Sequence, residues 1–349
     1  MKRGLLSTAT LLLLGFFLMP FACRSKEKAD KGSLRVIFET DMGNDVDDAL
    51  ALDMLYKYAD QGKIHLLGIS SNKNGCYSSE FIDILNTRFG YPDIPIGRIV
   101  KGPDCESDGM INYARKVCEM KTPNGEFLFK RSKPSYESNL ESTALYRNIL
   151  SKQPDNSVCI ISVGFFTNLA RLLATPSDKY SPLIGKDLVA KKVKSLVLVA
   201  GDFRKNKVTE FNVYKDGPAA QKVFAEWPTS IICSPLGVGL NILYPATVIE
   251  NDSLWANPHP IVEAYKVFLP MPYNRPTWDL NAVLYAVEPG AGYYNCSERG
   301  VISVDENNFT VFSPDKNGKH TYLSVTPEQE QKIKQRFIYL TTKSFHKKK

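Results

Sequence analysis

Histidine is scarce in this chain: four residues in 349, at positions 65, 259, 320 and 346. His65 opens an apolar strand-like run and reads as a core residue, and His346 belongs to a basic tail. The seven cysteines include no CxxC pair, which argues against a zinc site. Cys159 and Cys233 lie inside apolar runs, where a buried free thiol is the plainer reading. No basic stripe with interleaved aromatics is present, which argues against nucleic acid as a partner, and the formal charge of +7 is partly the HKKK terminus. Nor is there an internal repeat or low-complexity linker within residues 34–342, so a single domain with insertions is the simplest organisation.

A long apolar run is missing too. The stretch from Leu11 to Phe21 is too short to span a bilayer comfortably, and it follows Lys2 and Arg3, as in a signal peptide. We read residues 1–22 as that signal and residues 23–33 as a polar tether. The domain would then run over 34–342, with a basic tail at 343–349. Ala22 before Cys23 predicts an exported lipoprotein anchored through Cys23, periplasmic or on the outer membrane, although Pro20 and Phe21 also suit ordinary secretion.

From Leu34 onward, short β-branched runs alternate with helical patterns, which predicts an α/β fold around a mainly parallel sheet. Strands are expected at LRVIFETD, IHLLGISS, IPIGRIV, SVCIISVGFF, VKSLVLVAG and TSIICSPLG, and helices at about 47–59, 79–89, 138–151, from 167, 217–227, after 276 and from 327. Two or three antiparallel strands are expected between 300 and 325. Residues 101–134, rich in Gly, Pro, Lys and Asp, read as a long surface loop near the site.

The feature that stands out is ETDMGNDVDDALAL, where Glu39, Asp41, Asp45, Asp47 and Asp48 crowd the passage from the first strand to the first helix. In a parallel sheet, ligands bind outside the carboxyl ends of the strands. One Asp there is explained as a helix cap and a second by the helix dipole, but four are not. Two carboxylates about 4 Å apart repel by roughly 4 kcal/mol at the effective dielectric of a protein surface, so the cluster calls for a cation. All-oxygen donors favour a hard ion, calcium first and magnesium second. The spacing is not that of an EF-hand.

TDMGNDVDDALAL resembles the N-terminal signature of the calcium-dependent nucleoside hydrolases of the inosine–uridine-preferring type. SVGFFTNLARLL (162–173), TEFNVYKDGPAA (209–220) and TWDLNAVLYAV (277–287) resemble further blocks of that family in the same order. The resemblance implies one Rossmann-like α/β domain that hydrolyses the N-glycosidic bond of a ribonucleoside or related N-ribosyl compound, with Ca2+ as cofactor and a homo-oligomeric state. It implies Asp41, Asp48, Asp279 and the Val163 carbonyl as metal ligands, with Asp41 also the base that takes a proton from the attacking water. Asp47 corresponds to a ribose-binding Asp, with Asp45 as its possible replacement. Glu210 and Asn212 correspond to the pair at the sugar's hydroxymethyl end, and Asn72, with Asn74 as competitor, to a ribose-contacting Asn. Glu39 would partner the ligands from behind.

Plainer readings stand beside these: Glu210 and Asn212 as caps of the following helix, Asn72 as a turn residue, Asp279 as an N-cap. Where relatives that cleave inosine often carry a His before the C-terminal metal Asp, this chain has Trp278, so aromatic stacking on the base is the expected substitute. Two other classes remain: a lipoprotein that binds a ribosyl compound without turnover, and an Asp-nucleophile phosphatase. The full set Asp41, Asp48 and Asp279 favours the hydrolase over the first, and the lack of a convincing Lys or second acidic motif weighs against the second.

Overall fold

The structure is a computed structural model that describes residues 1, 32–104, 109–251 and 258–344. The expected signal peptide, Cys23 and most of the basic tail lie outside the described residues. The body of the chain begins at Ser33.

Twelve strands are described: β1 (Leu34–Thr40), β2 (Ile64–Ser71), β3 (Ile96–Gly97), β4 (Val158–Ser162), β5 (Val193–Val199), β6 (Ser230–Ser234), β7 (Leu243–Tyr244), β8 (Arg275–Pro276), β9 (Asn295–Cys296), β10 (Gly300–Val304), β11 (Thr310–Pro314) and β12 (His320–Ser324). The helices are α1 (Asp47–Asp60), α2 (Tyr77–Arg88), α3 (Tyr113–Cys118), α4 (Ser142–Ser151), α5 (Thr167–Ala174), α6 (Gly185–Lys192), α7 (Phe211–Lys215), α8 (Gly217–Glu226), α9 (Leu236–Leu240), α10 (Ala246–Asn251), α11 (Pro260–Phe268), α12 (Trp278–Val287) and α13 (Pro327–Thr341).

The main sheet runs in the order β11-β10-β12-β6-β5-β4-β1-β2-β3, with β9 on β12 and a separate β7-β8 pair. From β12 to β3 every neighbour is parallel. Helices cover both faces, so the central strands are apolar along their whole length: Val36, Ile37 and Phe38 are all fully buried, as are Ile160 and Ile161. Two cores result, one around β1 and α1, the other around β4, β5 and α8.

The chain adds β2 and β3 on one side of β1, then returns to place β4 on the other. The sheet therefore reverses its growth between β1 and β4, and the register holds to the end, with Glu39 opposite Ser162 and the Val163 N–H on the Glu39 carbonyl at 2.9 Å. A crevice at such a switch point is where open α/β sheets bind ligands.

The expected antiparallel strands between 300 and 325 are present, β10 pairing antiparallel with both β11 and β12, and β12 also joins β6 in parallel and so extends the main sheet. Several expectations need correction. IPIGRIV contributes only two strand residues. Residues 101–134 are not simply a surface loop, because α3 buries Tyr113, Ala114, Val117 and Cys118. A six-residue helix is too short to display a readable period. His65 is exposed on β2 rather than buried. Cys159 and Cys233 are buried free thiols.

Candidate active site

The β1–α1 loop turns at Gly43, whose φ of +114° suits a residue without a side chain; a Cβ there would lie 2.8 Å from Asn112 Oδ1. The turn delivers Asp41, Asn44 and Asp45, and α1 then opens with Asp47 and Asp48 in its first turn, where the helix dipole favours negative charge. Thr40 Oγ1 donates to Asp48 Oδ1, and Asn44 Nδ2 donates to Asp41 Oδ2 at 2.6 Å. Asp279 comes from the first turn of α12, and its N–H donates to Asp47 Oδ2 at 3.0 Å.

One cavity of about 260 Å³ collects these groups. Asp41, Asp47, Asp48 and Asp279 line it together with Val163, Glu210, Asn212 and Trp278, and also with Asn44, Asp45 and Arg275. Asp45, the alternative to Asp47, shares this space, whereas Glu39, Asn72 and Asn74 do not line it.

Within the cavity, the tightest carboxylate group is Asp47, Asp48 and Asp279, with oxygens within 4.8 Å of one another. The group shares Asp48 and Asp279 with the expected ligand set, whose third carboxylate is Asp41, and adds Asp47, the residue expected at the sugar. Asp47 starts the helix beside Asp48 and meets α12 directly, and Asp41, held by Asn44, lines the same cavity and is the neighbouring charge that most raises Asp48. Asp48 Oδ2 is buried with no hydrogen-bond partner. An orphaned buried carboxylate oxygen among two more carboxylates is a site for a cation, and two ligands on opposite sides of one calcium stand roughly 4.8 Å apart, from metal–oxygen distances of about 2.3–2.6 Å. The donors fit a hard cation.

Burial sets the electrostatics. It pushes Asp41 up to about 6, while the Asn44 hydrogen bond and the positive charge of Lys73 hold it back. Asp47, Asp48 and Asp279 are driven well above the usual carboxylate range, first by burial and then by neighbouring carboxylates: Asp45 and Asp41 at Asp47, Asp41 and Asp47 at Asp48, Asp47 and Asp48 at Asp279. Glu39, fully buried among Ser162, Asn168 and Tyr146, is raised to about 7 by the same desolvation.

The sugar-end candidates divide. Glu210 is the N-cap of α7: its carboxylate accepts the N–H groups of Asn212 at 2.9 Å and Val213 at 3.1 Å, and also that of Gly201 at 3.3 Å. The capping reading therefore holds for Glu210, yet the same carboxylate faces the cavity, and burial raises it to about 7. Asn212 donates Nδ2 to the carbonyls of Val163 and Val199, at 3.3 and 3.1 Å, so its Oδ1 is what remains for a ligand. The Val163 carbonyl keeps a second lone pair.

Asn72 is buried behind Asp41, with Nδ2 on the Phe165 carbonyl at 2.9 Å and Oδ1 unpartnered. Gly164 lets the three meet. A Cβ at that position would stand 2.5 Å from Asn72 Oδ1 and 2.7 Å from Asp41 Oδ1. Gly164→Ala is accordingly expected to displace Asp41, lowering any turnover by roughly tenfold or more while the far-UV spectrum stays native. Kinetics beside circular dichroism check this, and unchanged turnover would show that the approach is slack.

Trp278 packs across Gly239, whose added Cβ would fall 2.5 Å from Trp278 Cδ1, and donates Nε1 to the Leu236 carbonyl at 3.0 Å. Among the described histidines none lines the cavity. His259 caps α11 and His320 accepts the Ile302 N–H within the sheet. Two charged residues escaped the sequence reading. Lys73 is 1% exposed, its charge felt at Asp41; Arg275 reaches the cavity from β8. A lysine next to Asn72 in SSNKNG was the available signal for the first.

The profile of the family described as inosine-uridine preferring nucleoside hydrolase matches residues 36–335. The chain belongs to this family. Nucleoside hydrolases act on N-glycosyl compounds, and the fold agrees with that membership. A plant nucleoside hydrolase structure aligns with a TM-score of 0.63 at 17% identity, covering 89% of this chain and 99% of that one. The inosine-uridine preferring nucleoside hydrolase of Bacillus anthracis aligns with a TM-score of 0.62 at 18% identity, over 88% of this chain and 99% of that one. The type III effector protein XopQ, solved with adenosine diphosphate ribose, aligns with a TM-score of 0.63 at 14% identity, over 90% and 95%. At these identities the likeness is one of fold. A search of curated proteins finds no match.

Proposed function

We propose that this nucleoside hydrolase cleaves the N-glycosidic bond of a ribonucleoside or a related N-ribosyl compound, releasing ribose and free base. The observation that carries the reading is the placement of Asp41 and the trio Asp47, Asp48 and Asp279 in one cavity with Glu210 and Asn212.

N-glycoside hydrolysis has an oxocarbenium-like transition state and needs a poised water on the face opposite the leaving group. Asp41, with an ordinary value raised only to about 6, is a carboxylate at neutral pH and basic enough to accept the proton of that water. Glu210 and the Asn212 Oδ1 accept hydrogen bonds from sugar hydroxyls, while Asn44 fixes Asp41 through its Nδ2 hydrogen bond. The trio would hold Ca2+, with the Val163 carbonyl within the same wall. When bound, that cation supplies positive charge that orients and acidifies water. Trp278 offers the base a π-face. We extend the proposal to export, lipidation at Cys23 and homo-oligomerisation, on the strength of the Leu11–Phe21 run and the family resemblance.

The test is ribose release by the purified chain, with calcium and with chelator, over purine and pyrimidine nucleosides and a nitrophenyl riboside. Calcium-dependent release supports the reading. Calcium binding without release from any of them moves the weight to a binding lipoprotein. In the same assay Trp278→Ala is expected to lower kcat/KM for purine nucleosides by roughly tenfold, the scale of one lost aromatic stack, and to leave the nitrophenyl riboside within about threefold. Equal losses on both would reduce Trp278 to packing.

A further inference from the structure

Arg275 is the only cationic side chain lining the cavity among the described residues. It arrives on β8, three residues before Trp278, and meets Asp45 from the β1–α1 loop, 230 positions away. Nε donates to Asp45 Oδ1 at 2.8 Å and Nη2 donates to Asp45 Oδ2, so both carboxylate oxygens grip one edge of the fork. The guanidinium carbon lies 5.4 Å from the centre of the Trp278 ring and 4.8 Å from that of Phe268. One edge is pinned by a carboxylate and the plane is flanked by aromatic rings, so the group has little freedom left. Nη1 has no hydrogen-bond partner among the described residues. Both side chains stay partly open, at 22% and 26%.

We propose that Arg275, aimed by Asp45, is the residue that reads the leaving base, through a carbonyl oxygen on that base. This rests on the hydrolase reading of the cavity. The pair is electrically neutral and shares its cavity with Asp41, Asp47, Asp48 and Asp279, so it does not recruit a phosphate or another anion. What it offers is a set of directed N–H donors beside the indole of Trp278. A planar heteroaromatic ring carrying a carbonyl oxygen next to a ring-nitrogen acceptor fits both features, as a guanidinium fork matches that edge of a 6-oxopurine. A 6-amino group presents a donor at the same place and leaves the Arg275 N–H groups unmatched.

The same contact serves the reaction. A C1′–O bond forms to water, whose proton passes to Asp41, and the C1′–N bond breaks with its electron pair moving onto the base. Negative charge then grows on the carbonyl oxygen. Donors fixed in advance stabilise that charge without reorganising, and the base takes its proton from solvent after it leaves. No acidic histidine is required. Asp45 acts as a positioning residue, through Arg275.

The experiment compares wild type, Arg275→Gln, Arg275→Lys and Asp45→Asn in the full chain with calcium. Ribose release is followed from inosine, adenosine and a nitrophenyl riboside, and binding of free hypoxanthine and adenine by calorimetry. Wild type should favour inosine over adenosine. Arg275→Gln and Asp45→Asn should lower kcat/KM for inosine by roughly 10- to 100-fold, the value of one bidentate contact to a base, and leave adenosine and the nitrophenyl riboside within about threefold. Arg275→Lys, which keeps the charge and loses the fork, should fall with them. Equal losses on every substrate, or hypoxanthine binding unchanged in Arg275→Gln, would overturn the assignment. If no substrate releases ribose, the hydrolase reading fails, while hypoxanthine binding lost in Arg275→Gln and adenine binding retained would still uphold Arg275 as the base reader. Melting curves separate misfolding from loss of contact, since Asp45→Asn/Arg275→Gln leaves no unpaired charge.

Discussion

Replacing Asp41 with Asn is expected to lower kcat by about 10²- to 10⁴-fold, the range that a positioned general base contributes, while KM stays within about threefold. The substitution is nearly isosteric, and the Asn44 Nδ2 bond now made to Asp41 Oδ2 at 2.6 Å can be kept by the amide oxygen. What disappears is the ability to hold a proton. The pH profile makes the test specific to that role. Burial raises Asp41 from the ordinary 3.8 to about 6, so in wild type kcat/KM should fall tenfold per pH unit below the Asp41 value and level off above it. A bound cation near Asp41 favours its ionised form, so the inflection should move to lower pH as calcium rises. Asp41→Asn should show no such limb. A variant that keeps wild-type turnover, or keeps the acid limb, would assign the proton to another group, with Glu210 next in line because it is raised to about 7 in the same cavity.

How far the sequence foretold this site depends on how local each signal is. The strands β1, β2, β4 and β5 and the helix α1 were legible because each is a continuous apolar run between polar breaks, and a parallel sheet covered on both faces requires such runs. The acidic loop was legible because charge density within ten residues has few structural explanations. Its internal division was not. Which of Asp41, Asp45 and Asp47 joins Asp48 and Asp279 depends on the angle at which α1 leaves the loop, and the pairing of Asp45 joins positions 230 apart. Asp45, unassigned or a stand-in for Asp47 in the sequence, is committed to Arg275. Glu210 shows that the two readings offered for it were not exclusive: an N-cap that accepts three backbone N–H groups also faces the cavity. Lys73 carried only the weak signal of its place beside Asn72, because burial of a lysine near a carboxylate is a property of the packed fold, and α3 was illegible because six residues cannot display a period.

The second large effect concerns stability. Asp48→Asn is expected to abolish calcium-dependent stabilisation and, without calcium, to melt at or above the wild-type temperature. Asp47, Asp48 and Asp279 are buried together, and burial and the charges of neighbouring aspartates raise all three. A folded-state value raised above the unfolded one stabilises the protein fully below the unfolded value, near pH 4, and that contribution is lost as pH rises through the folded value. Asp41 at about 6 and Glu210 at about 7 carry the same sign and mark the window. The metal-free wild type should therefore melt at progressively lower temperature between about pH 4 and pH 7. Calcium reverses the trend, because a cation binds only the ionised trio. At a hundredfold excess over Kd it adds about 2.7 kcal/mol, roughly 5 °C for a domain of this size, and the gain should be larger at pH 7.5 than at pH 5. In Asp48→Asn the Thr40 Oγ1 bond can persist to the amide oxygen, so the fold is kept while one repelling charge and the orphaned Oδ2 are gone. Scanning calorimetry across pH, with calcium and with chelator, reads all of this. A calcium shift that survives Asp48→Asn, or a metal-free wild type that gains stability from pH 5 to 7, would mean that the three carboxylates do not share one ion.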